Sequence, residues 1–321
     1  MGGVTGACSP RARITSFFDD TSARFAVYPI VRWLSRPRPW KEAILILPSG
    51  SRPINSPSNR TSPVPTVTIL TAEMTALSFE DFVETVTRWG QAQDRGRMVC
   101  VANVHMLVEA RRDPSLAQSL RRADAVTPDG MPLVWLMRRN GHPNQDRIAG
   151  MDLLPALCDM AERESISVYF LGSTPEVLRA IRCRLRSTHP RLRIGGMDAP
   201  PFREMTPDEE ALTIQRINLA DPGFLFVALG CPKQEKWMER NVENVRAVMF
   251  GLGAAFPVFA GARKRAPRVM QRNGMEWLYR LCQEPHRLWR RYLTTNTAFL
   301  WWIYEGWRSE QRSAGREPRL D

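Results

Sequence analysis

The sequence predicts an α/β protein with a mostly parallel sheet flanked by helices and a helical appendage at its C-terminal end. Two observations support this prediction. Short apolar runs alternate with helix-like stretches between residues 67 and 250, an order that is typical of parallel, Rossmann-like sheets. Beyond residue 262 the strand-like runs end, and arginines and tryptophans recur within helix-like stretches.

The individual elements are predicted from apolar periodicity and from capping residues. Strand-like runs occupy residues 67–70, 98–101, 125–126, 167–171, 192–194, 224–229 and 247–250. Helix-like stretches begin near residues 79, 105, 131, 153, 175, 206 and 234. We expect Asp152 to cap the helix at 153–164, Thr174 to precede a helix that starts with Pro175, and Thr206 to open a capping box with Glu209.

The net charge of +12 in 321 residues is concentrated at the two ends of the chain. Residues 1–64 hold 9 Lys/Arg and 3 Asp/Glu and are rich in Ser and Pro, so we expect a disordered basic tail. Residues 262–312 hold 11 Lys/Arg and 4 Asp/Glu. We therefore expect an α/β domain at 65–262, a basic appendage at 263–312 and a disordered tail at 313–321. Basic ends on a near-neutral body favour contact of those ends with an anionic membrane or with nucleic acid.

The cysteines and histidines show neither a disulfide framework nor a metal-binding pattern. All six cysteines and four histidines are scattered, which favours a reducing compartment. The longest apolar stretch, residues 247–262, contains three glycines and a proline and is too short for a spanning helix. No secretory signal follows Met1. If a membrane is involved, we expect the protein to lie on it.

Polar residues and glycines follow the predicted strands at their carboxyl ends. In parallel sheets ligands bind beyond that edge, so these residues are expected to line one crevice. They are Asn103, Asp129, Gly172, Ser173, Thr174, the turn at residues 230–235, Gly251 and Gly253.

The turn Gly230-Cys231-Pro232-Lys233-Gln234-Glu235 lies between an apolar strand-like run and a helix-like stretch. Such a turn points backbone N–H groups at a ligand and suits a diphosphate. Lys233 adds positive charge, and Gln234 and Glu235 add directional hydrogen bonding. An ordinary βα turn with a solvated Lys-Gln-Glu surface explains the hexapeptide alone equally well.

Residues 274–307 are predicted to be helical, with a break near Glu284-Pro285. This stretch holds five of the ten tryptophans, interleaved with Arg280, Arg287, Arg290 and Arg291. Arginines beside Trp and Leu suit a helix that lies in the interface of an anionic bilayer. The alternative is a terminal helical pair that packs on the body and has a solvated arginine face.

Several motifs occur together in a fixed order. They are residues 127–130 (TPDG), 147–153 (RIAGMDL), 199–202 (APPF), 230–235 (GCPKQE), 265–267 (RAP), 276–281 (EWLYRL) and 284–287 (EPHR). Together they resemble the WecG/TagA/CpsF glycosyltransferases, glycosyltransferase family 26, over roughly residues 67–292. Several ordered motifs are far more specific than any one of them.

The resemblance implies an inverting enzyme that transfers one sugar from a UDP-sugar to a sugar carried by a polyprenyl diphosphate. The reaction takes place on the inner face of the bacterial plasma membrane, in the synthesis of cell-surface polysaccharide or exopolysaccharide. N-acetylmannosamine, its uronic acid and glucose all occur as transferred sugars among relatives. Val101 stands where the family has a threonine, which leaves the donor sugar open.

The resemblance also implies roles for particular residues. Asp129 is the implied general base, Asn103 and Gln234 line the site, and the basic appendage closes over it at the membrane. The further expected substrate contacts are Arg147, Asp152, Gly172, Ser173, Thr174, Gly230, Lys233, Glu235, Gly251, Arg280, Arg287 and Arg290.

Inverting transfer is a single displacement at the anomeric carbon, so one carboxylate that accepts the proton of the attacking hydroxyl suffices. Asp129 lies in a strand-end turn, although an aspartate in Pro-Asp-Gly is also a common turn residue. Asp152 and Glu235 are the rival carboxylates, which we interpret as a helix cap and a helix-start residue. Cys231 is expected to face the crevice without a base that could activate it. His105 is a further candidate for a diphosphate contact.

The sequence contains no Asp-x-Asp triplet, so we predict transfer without a metal or other cofactor. The departing UDP would be stabilised by N–H groups at helix starts and by Lys233 or the appendage arginines. Two alternatives remain. A Rossmann-like nucleotide-binding oxidoreductase is weakened because no Gly-x-Gly-x-x-Gly follows the first strand. A non-enzymatic nucleic-acid-binding protein would use the two basic ends, whereas the glycosyltransferase prediction includes no nucleic-acid partner.

Overall fold

The computed structural model describes residues 64–70 and 72–314. The basic tail predicted for residues 1–64 lies outside the described residues except for residue 64, and so do residues 315–321. The last helix ends at Ala314, so it includes two residues that we had assigned to the C-terminal tail.

The described part of the chain contains eight strands and twelve helices. The strands are β1 (Thr66–Ile69), β2 (Ala72–Thr75), β3 (Arg97–Ala102), β4 (Ala125–Pro128), β5 (Val168–Gly172), β6 (Ile194–Asp198), β7 (Phe224–Ala228) and β8 (Val248–Gly251). The helices are α1 (Phe79–Ala92), α2 (Val104–Arg112), α3 (Pro114–Arg122), α4 (Met131–Arg139), α5 (Gly150–Arg163), α6 (Pro175–Thr188), α7 (Pro207–Ala220), α8 (Lys233–Asn241), α9 (Ala255–Phe259), α10 (Arg268–Arg272), α11 (Glu276–Gln283) and α12 (Pro285–Ala314).

Strands β3 to β8 form one sheet in the order β4-β3-β8-β7-β5-β6, and every neighbouring pair is parallel. This confirms the predicted parallel sheet flanked by helices. Strands β1 and β2 form a separate antiparallel hairpin, of which only the first strand was predicted. The hairpin lies beside β4, where the Thr75 hydroxyl accepts a hydrogen bond from the Val126 N–H at 3.0 Å.

Both faces of the sheet are buried, which explains why its strands are continuous apolar runs rather than alternating ones. On one face, Phe170, Phe226 and Phe250 pack against α1, α5, α6 and α9. On the other face, Leu171, Leu225 and neighbouring side chains pack against α2, α3, α4, α7, α8 and α12. The two helical layers cover the faces of the sheet, and the loops that follow the strands lie at its carboxyl edge.

The capping predictions were partly right. Thr174 caps α6, and Thr206 opens a complete capping box with Glu209, as predicted. Asp152 is not a cap, because α5 begins at Gly150 and its N-cap residue is Ala149. The strand predicted at residues 192–194 is displaced to β6, and the predicted break at Glu284-Pro285 separates α11 from α12.

Helix α12 has two unlike faces. Leu288, Thr295 and Phe299 are buried, and α12 packs along α2. Trp289, Leu293, Leu300 and Tyr304 recur on another side, and each is between 45% and 60% exposed. None of the helices in the described ranges is long and apolar enough to cross a bilayer.

Gly172, the last residue of β5, provides a stability prediction. Its φ is +110°, and an added Cβ would lie 2.5 Å from the carbonyl of Ala228 on the paired strand β7. We expect Gly172→Ala to lower the free energy of unfolding by about 2–3 kcal/mol through this overpacking and the backbone strain. Gly261→Ala is the matched control, since Gly261 has φ +76° but open space around it, and should lose only about 1 kcal/mol. Urea unfolding measures both, and equal losses would contradict the steric explanation.

Candidate active site

The carboxyl ends of strands β3, β4 and β8 place predicted site residues along one edge of the sheet. Asn103 follows β3, Asp129 follows β4, and Gly251 ends β8. The Asp129 N–H donates to the Ala102 carbonyl at 2.7 Å, so the pairing of β4 with β3 continues into the residue that carries the predicted base. The position of Asp129 is therefore set by the sheet.

The Asp129 carboxylate is left unpaired. Its side chain forms no hydrogen bond or ion pair with any residue in the described part of the chain, and Asp129 is only half-buried. Burial above all, and then the negative charge of Glu276, raises its pKa to about 6, against the opposing charges of Arg147 and Arg280. Asp129 is therefore ionised at neutral pH but more basic than an ordinary aspartate, as a general base requires.

Arg147 binds the acids that surround Asp129. Its Nη1 lies 2.6 Å from Glu276 Oε2 on α11, and its Nη2 lies 3.0 Å from Asp152 Oδ2 on α5. Burial by itself disfavours its charge, but the carboxylates of Asp129, Glu276 and Asp152 outweigh this and raise the pKa of Arg147. Arg147 thus joins the sheet domain to the appendage beside the predicted base.

Asp152, the rival carboxylate, has both oxygens engaged. Arg265 Nη1 lies 2.6 Å from Oδ1, and Arg265 Nη2 lies 2.6 Å from Oδ2, the same oxygen that Arg147 contacts. Both Asp152 oxygens are therefore occupied by guanidinium N–H donors. Asp152 thus ties the chain leading to the appendage onto α5, whereas the Asp129 side chain has no such partner among the described residues.

Within the turn after β7, both the oxygen and the nitrogen of the Gln234 side-chain amide are hydrogen-bonded. Its Oε1 accepts a hydrogen bond from the Gly230 N–H at 3.2 Å, and its Nε2 donates to Glu235 Oε1 at 2.7 Å. A Cβ on Gly251 would come within 2.9 Å of that Nε2, so the glycine that ends β8 makes room for the amide. The amide is positioned by its own turn and by the neighbouring strand.

Glu235 is not the solvated helix-start residue that the sequence suggested. It is fully buried, and burial raises its pKa to about 7. Its Oε2 has no hydrogen-bond partner among the described residues. The Cys231 thiol lies within hydrogen-bonding reach of the same carboxyl group, and burial raises the pKa of this thiol. A protonated thiol beside an acid is not an activated nucleophile.

Other predicted contacts have local structural partners. The Asn103 and Thr174 side chains accept hydrogen bonds from Met106 N–H and Val177 N–H and so cap α2 and α6. Ser173 has a left-handed backbone with φ +65°, next to Gly172. Lys233 donates through Nζ to the Phe202 carbonyl at 3.3 Å, which fastens the loop before α7 to the start of α8.

The three predicted appendage arginines differ in their surroundings. The charge of Arg280 acts on Asp129. Arg287 is exposed and forms an ion pair with Glu284, and exposed Arg290 stacks on Trp289 at 5.2 Å. Substrate contact by these three arginines stays a prediction.

Arg291, which was not among the predicted contacts, is the arginine that α12 turns inward. It is half-buried, and its Nε has no partner among the described residues. Burial, followed by the charges of Arg291 and Arg112, lowers the pKa of His105 to about 4, so this imidazole is neutral at neutral pH. Arg291 therefore brings a cation close to the start of α2.

Sequence reasoning missed Glu276, Arg265 and Arg291 as site residues. The first two stand inside quoted motifs, which was a usable signal. Their partners Arg147 and Asp152 lie more than 110 residues away in the chain. No group of three or more His, Cys, Asp or Glu within residues 64–70 and 72–314 could hold a metal ion, and metal independence stays a prediction.

The structure is that of an α/β protein with a carboxylate, Asp129, that is unpaired in the described part of the chain, and with cationic groups near the carboxyl ends of its strands. A family model described as "Glycosyl transferase WecG/TagA/CpsF family" matches residues 67–313, and the chain belongs to this family. It is therefore a glycosyltransferase. This favours the glycosyltransferase prediction over the oxidoreductase and the nucleic-acid-binding alternatives.

Two relatives are similar over most of their length. The N-acetylglucosaminyldiphosphoundecaprenol N-acetyl-beta-D-mannosaminyltransferase of Bacillus spizizenii is 33% identical over 236 residues, which cover 73% of this chain and 88% of the relative. The enzyme of the same name from Bacillus subtilis is 32% identical over 204 residues, covering 63% and 77%.

The environment of Asp129 predicts the effect of Glu276→Gln. Removing the negative charge of Glu276 should lower the pKa of Asp129 below its value of about 6, because a like charge no longer disfavours ionisation. A ¹³C NMR titration of labelled aspartate carboxyl groups measures this pKa, and Asp129→Asn identifies the signal. Glu284→Gln, which removes an appendage acid paired with Arg263 and Arg287, is the control. A pKa that stays or rises in Glu276→Gln would contradict the assignment.

Burial of Glu235 predicts a pH-dependent stability. Its folded pKa of about 7 exceeds the ordinary 4.5, so the folded state keeps a proton that the unfolded state releases. The contribution of this group to stability is therefore present below about pH 4.5 and is lost as the pH rises to about 7. We expect the free energy of unfolding of Glu235→Gln to rise relative to that of wild type as the pH increases across this window. Above the window the difference between the two should be constant. Urea midpoints from pH 5 to 8 (about this range) test it, with exposed Glu243→Gln as control, and a parallel pH dependence of variant and wild type would refute it.

Proposed function

We propose that this glycosyltransferase moves a sugar from a UDP-sugar to a sugar linked to a polyprenyl diphosphate, with inversion, in the synthesis of cell-surface polysaccharide or exopolysaccharide. The acceptor class is supported by the relatives, whose names specify a diphosphoundecaprenol-linked N-acetylglucosamine and transfer of N-acetylmannosamine. The transferred sugar is of the N-acetylmannosamine, N-acetylmannosaminuronic acid or glucose type. The observation that carries the proposal is the unpaired, basic Asp129 at the edge of the crevice.

Asp129 acts as the general base in one displacement. The acceptor hydroxyl passes its proton to the Asp129 carboxylate while its oxygen forms a bond to the anomeric carbon. The bond between that carbon and the UDP oxygen breaks, and UDP departs with the bonding electron pair. Attack opposite to the leaving group inverts the anomeric configuration, so no covalent sugar–enzyme intermediate is required.

The leaving UDP requires positive charge near the turn after β7. The start of α8 has no side-chain cap, and Lys233 is its first residue. The positive end of this helix favours an anion, and Arg280 and Arg291 supply further charge from the appendage. We propose that these groups stabilise the diphosphate without a metal ion, with Gln234 positioned beside it.

The outward face of α12 supports attachment to an anionic membrane. Trp301 is 56% exposed beside the stripe formed by Trp289, Leu293, Leu300 and Tyr304. Arg290 and Arg308 stack on Trp289 and Tyr304 of this stripe. Aromatic and aliphatic side chains with neighbouring arginines bind at the headgroup level of a bilayer that carries negative charge. The appendage would thus hold the crevice near its lipid-linked acceptor on the inner face of the plasma membrane.

The proposal predicts a specific loss in Asp129→Asn. Acceptor-dependent UDP release from one donor in a panel of UDP-sugars should fall about 10²- to 10⁴-fold, the usual contribution of a general base. Asp159→Asn, which changes an exposed carboxylate on α5, should leave the rate unchanged. The assay should proceed in EDTA, since no metal takes part. Full activity of Asp129→Asn would move the base to another residue, and loss in EDTA restored by Mg²⁺ would reject the metal-free step.

A further inference from the structure

A groove beside the crevice is lined by three arginines and no carboxylate. Its lining residues are Met131, Arg147, Arg268, Gln271 and Arg272, and its volume is about 300 Å³. None of these residues except Arg147 was singled out from the sequence. A concave surface with this charge suits an anionic group.

Two of the three guanidinium groups are available to a ligand. Arg147 is already bound to Glu276 and Asp152. Arg268 and Arg272 are exposed and have no ion pair with any residue in the described ranges. They lie four residues apart on α10, so their side chains project from the same side of the helix.

Gln271 and Met131 tie the lining of the groove to neighbouring parts of the fold. Gln271 donates through Nε2 to the Ala266 carbonyl at 2.6 Å, and its Oε1 lies 3.4 Å from Arg147 Nη2. Met131 is the first residue of α4, a helix without a side-chain cap, so the positive end of α4 also faces this region. The arginines therefore extend from a surface that is held in place by hydrogen bonds.

The position of the groove separates it from the turn after β7. Met131 follows Asp129 by two residues, and Arg147 acts on the Asp129 charge, so the groove borders the base. Strand β4 is at one edge of the sheet, with β3 and β8 between it and β7. If the diphosphate of the donor binds at the turn after β7, the β4 edge, which carries Asp129 and the groove, is available for the acceptor.

We propose that Arg268 and Arg272 bind the diphosphate of the lipid-linked acceptor, so that its sugar hydroxyl reaches Asp129 from the β4 edge. This inference rests on the proposed function and adds the location of the acceptor. A guanidinium group binds phosphate oxygens through two parallel N–H donors, which fixes orientation as well as charge. Helix α10 is followed by α11 and then by α12, the helix that we propose to lie at the membrane, where the prenyl chain of the acceptor is anchored.

The test compares wild type with the double variant Arg268→Gln/Arg272→Gln. Its matched control is Arg182→Gln/Arg186→Gln, which removes two exposed arginines at the same four-residue spacing from α6. Rates are measured in neutral detergent with a short-chain prenyl diphosphate-linked sugar and with the corresponding monophosphate. Binding of farnesyl diphosphate is measured separately by calorimetry, which requires no catalysis.

We expect the double variant to raise the acceptor KM and the farnesyl diphosphate Kd by about tenfold or more, since charge-assisted contacts to phosphate are lost. The donor KM should be unchanged, as should kcat at saturating acceptor. The preference for diphosphate over monophosphate acceptor should shrink. The control variant should match wild type in all of these quantities.

The contrary results are distinct. An unchanged acceptor KM and Kd, or a raised donor KM, would overturn the assignment. An effect that appears only with anionic lipid vesicles would show that the arginines bind lipid headgroups instead, and would also overturn it. If farnesyl diphosphate binding depends on the two arginines but no donor supports transfer, the groove assignment stands and the proposed function fails.

Discussion

The ion pairs of Arg147 set the surroundings of Asp129. Three carboxylates, Asp129, Asp152 and Glu276, surround one guanidinium group, and the direct contacts go to the latter two. Had Arg147 paired with Asp129 instead, that pairing would have lowered the basicity of the carboxylate. Because Glu276 belongs to α11, the same contacts that attach the appendage keep Asp129 unpaired.

Two acids near the carboxyl edge of the sheet, Asp129 and Glu235, have raised pKa values in different surroundings. Asp129 is half-buried among charged groups, and its side chain remains open to a substrate. Glu235 is sealed from solvent and contacts Gln234 without any ion pair among the described residues. The first arrangement suits acceptance of a proton from a ligand, whereas the second suits the positioning of a neighbouring amide. Both pKa values are raised, so the contacts of each side chain, rather than the pKa shift, distinguish the two roles.

The last helix of the appendage has two unlike faces. Leu288 and Phe299 bury one side against the body and so bring Arg291 near the start of α2. Trp289 and Trp301 remain on the exposed surface. For this reason the two predictions from the sequence are compatible: one is a packed terminal helix, and the other is a membrane-surface helix. In the proposed function, this arrangement and α10 together bring a lipid-linked substrate to Asp129 from the membrane side.

The sequence by itself determined the parallel sheet, the break before Pro285 and the caps at Thr174 and Thr206, because apolar runs and capping residues act over a few neighbouring positions. It also determined the family, since several motifs recur in order. The tertiary structure decided that Asp152 is held by Arg147 and Arg265 rather than capping a helix, and that Glu235 is buried. It also decided that Arg268 and Arg272 border the region of Asp129. The Arg265–Asp152 and Arg147–Glu276 contacts join residues that are 113 and 129 positions apart, which local periodicity does not encode.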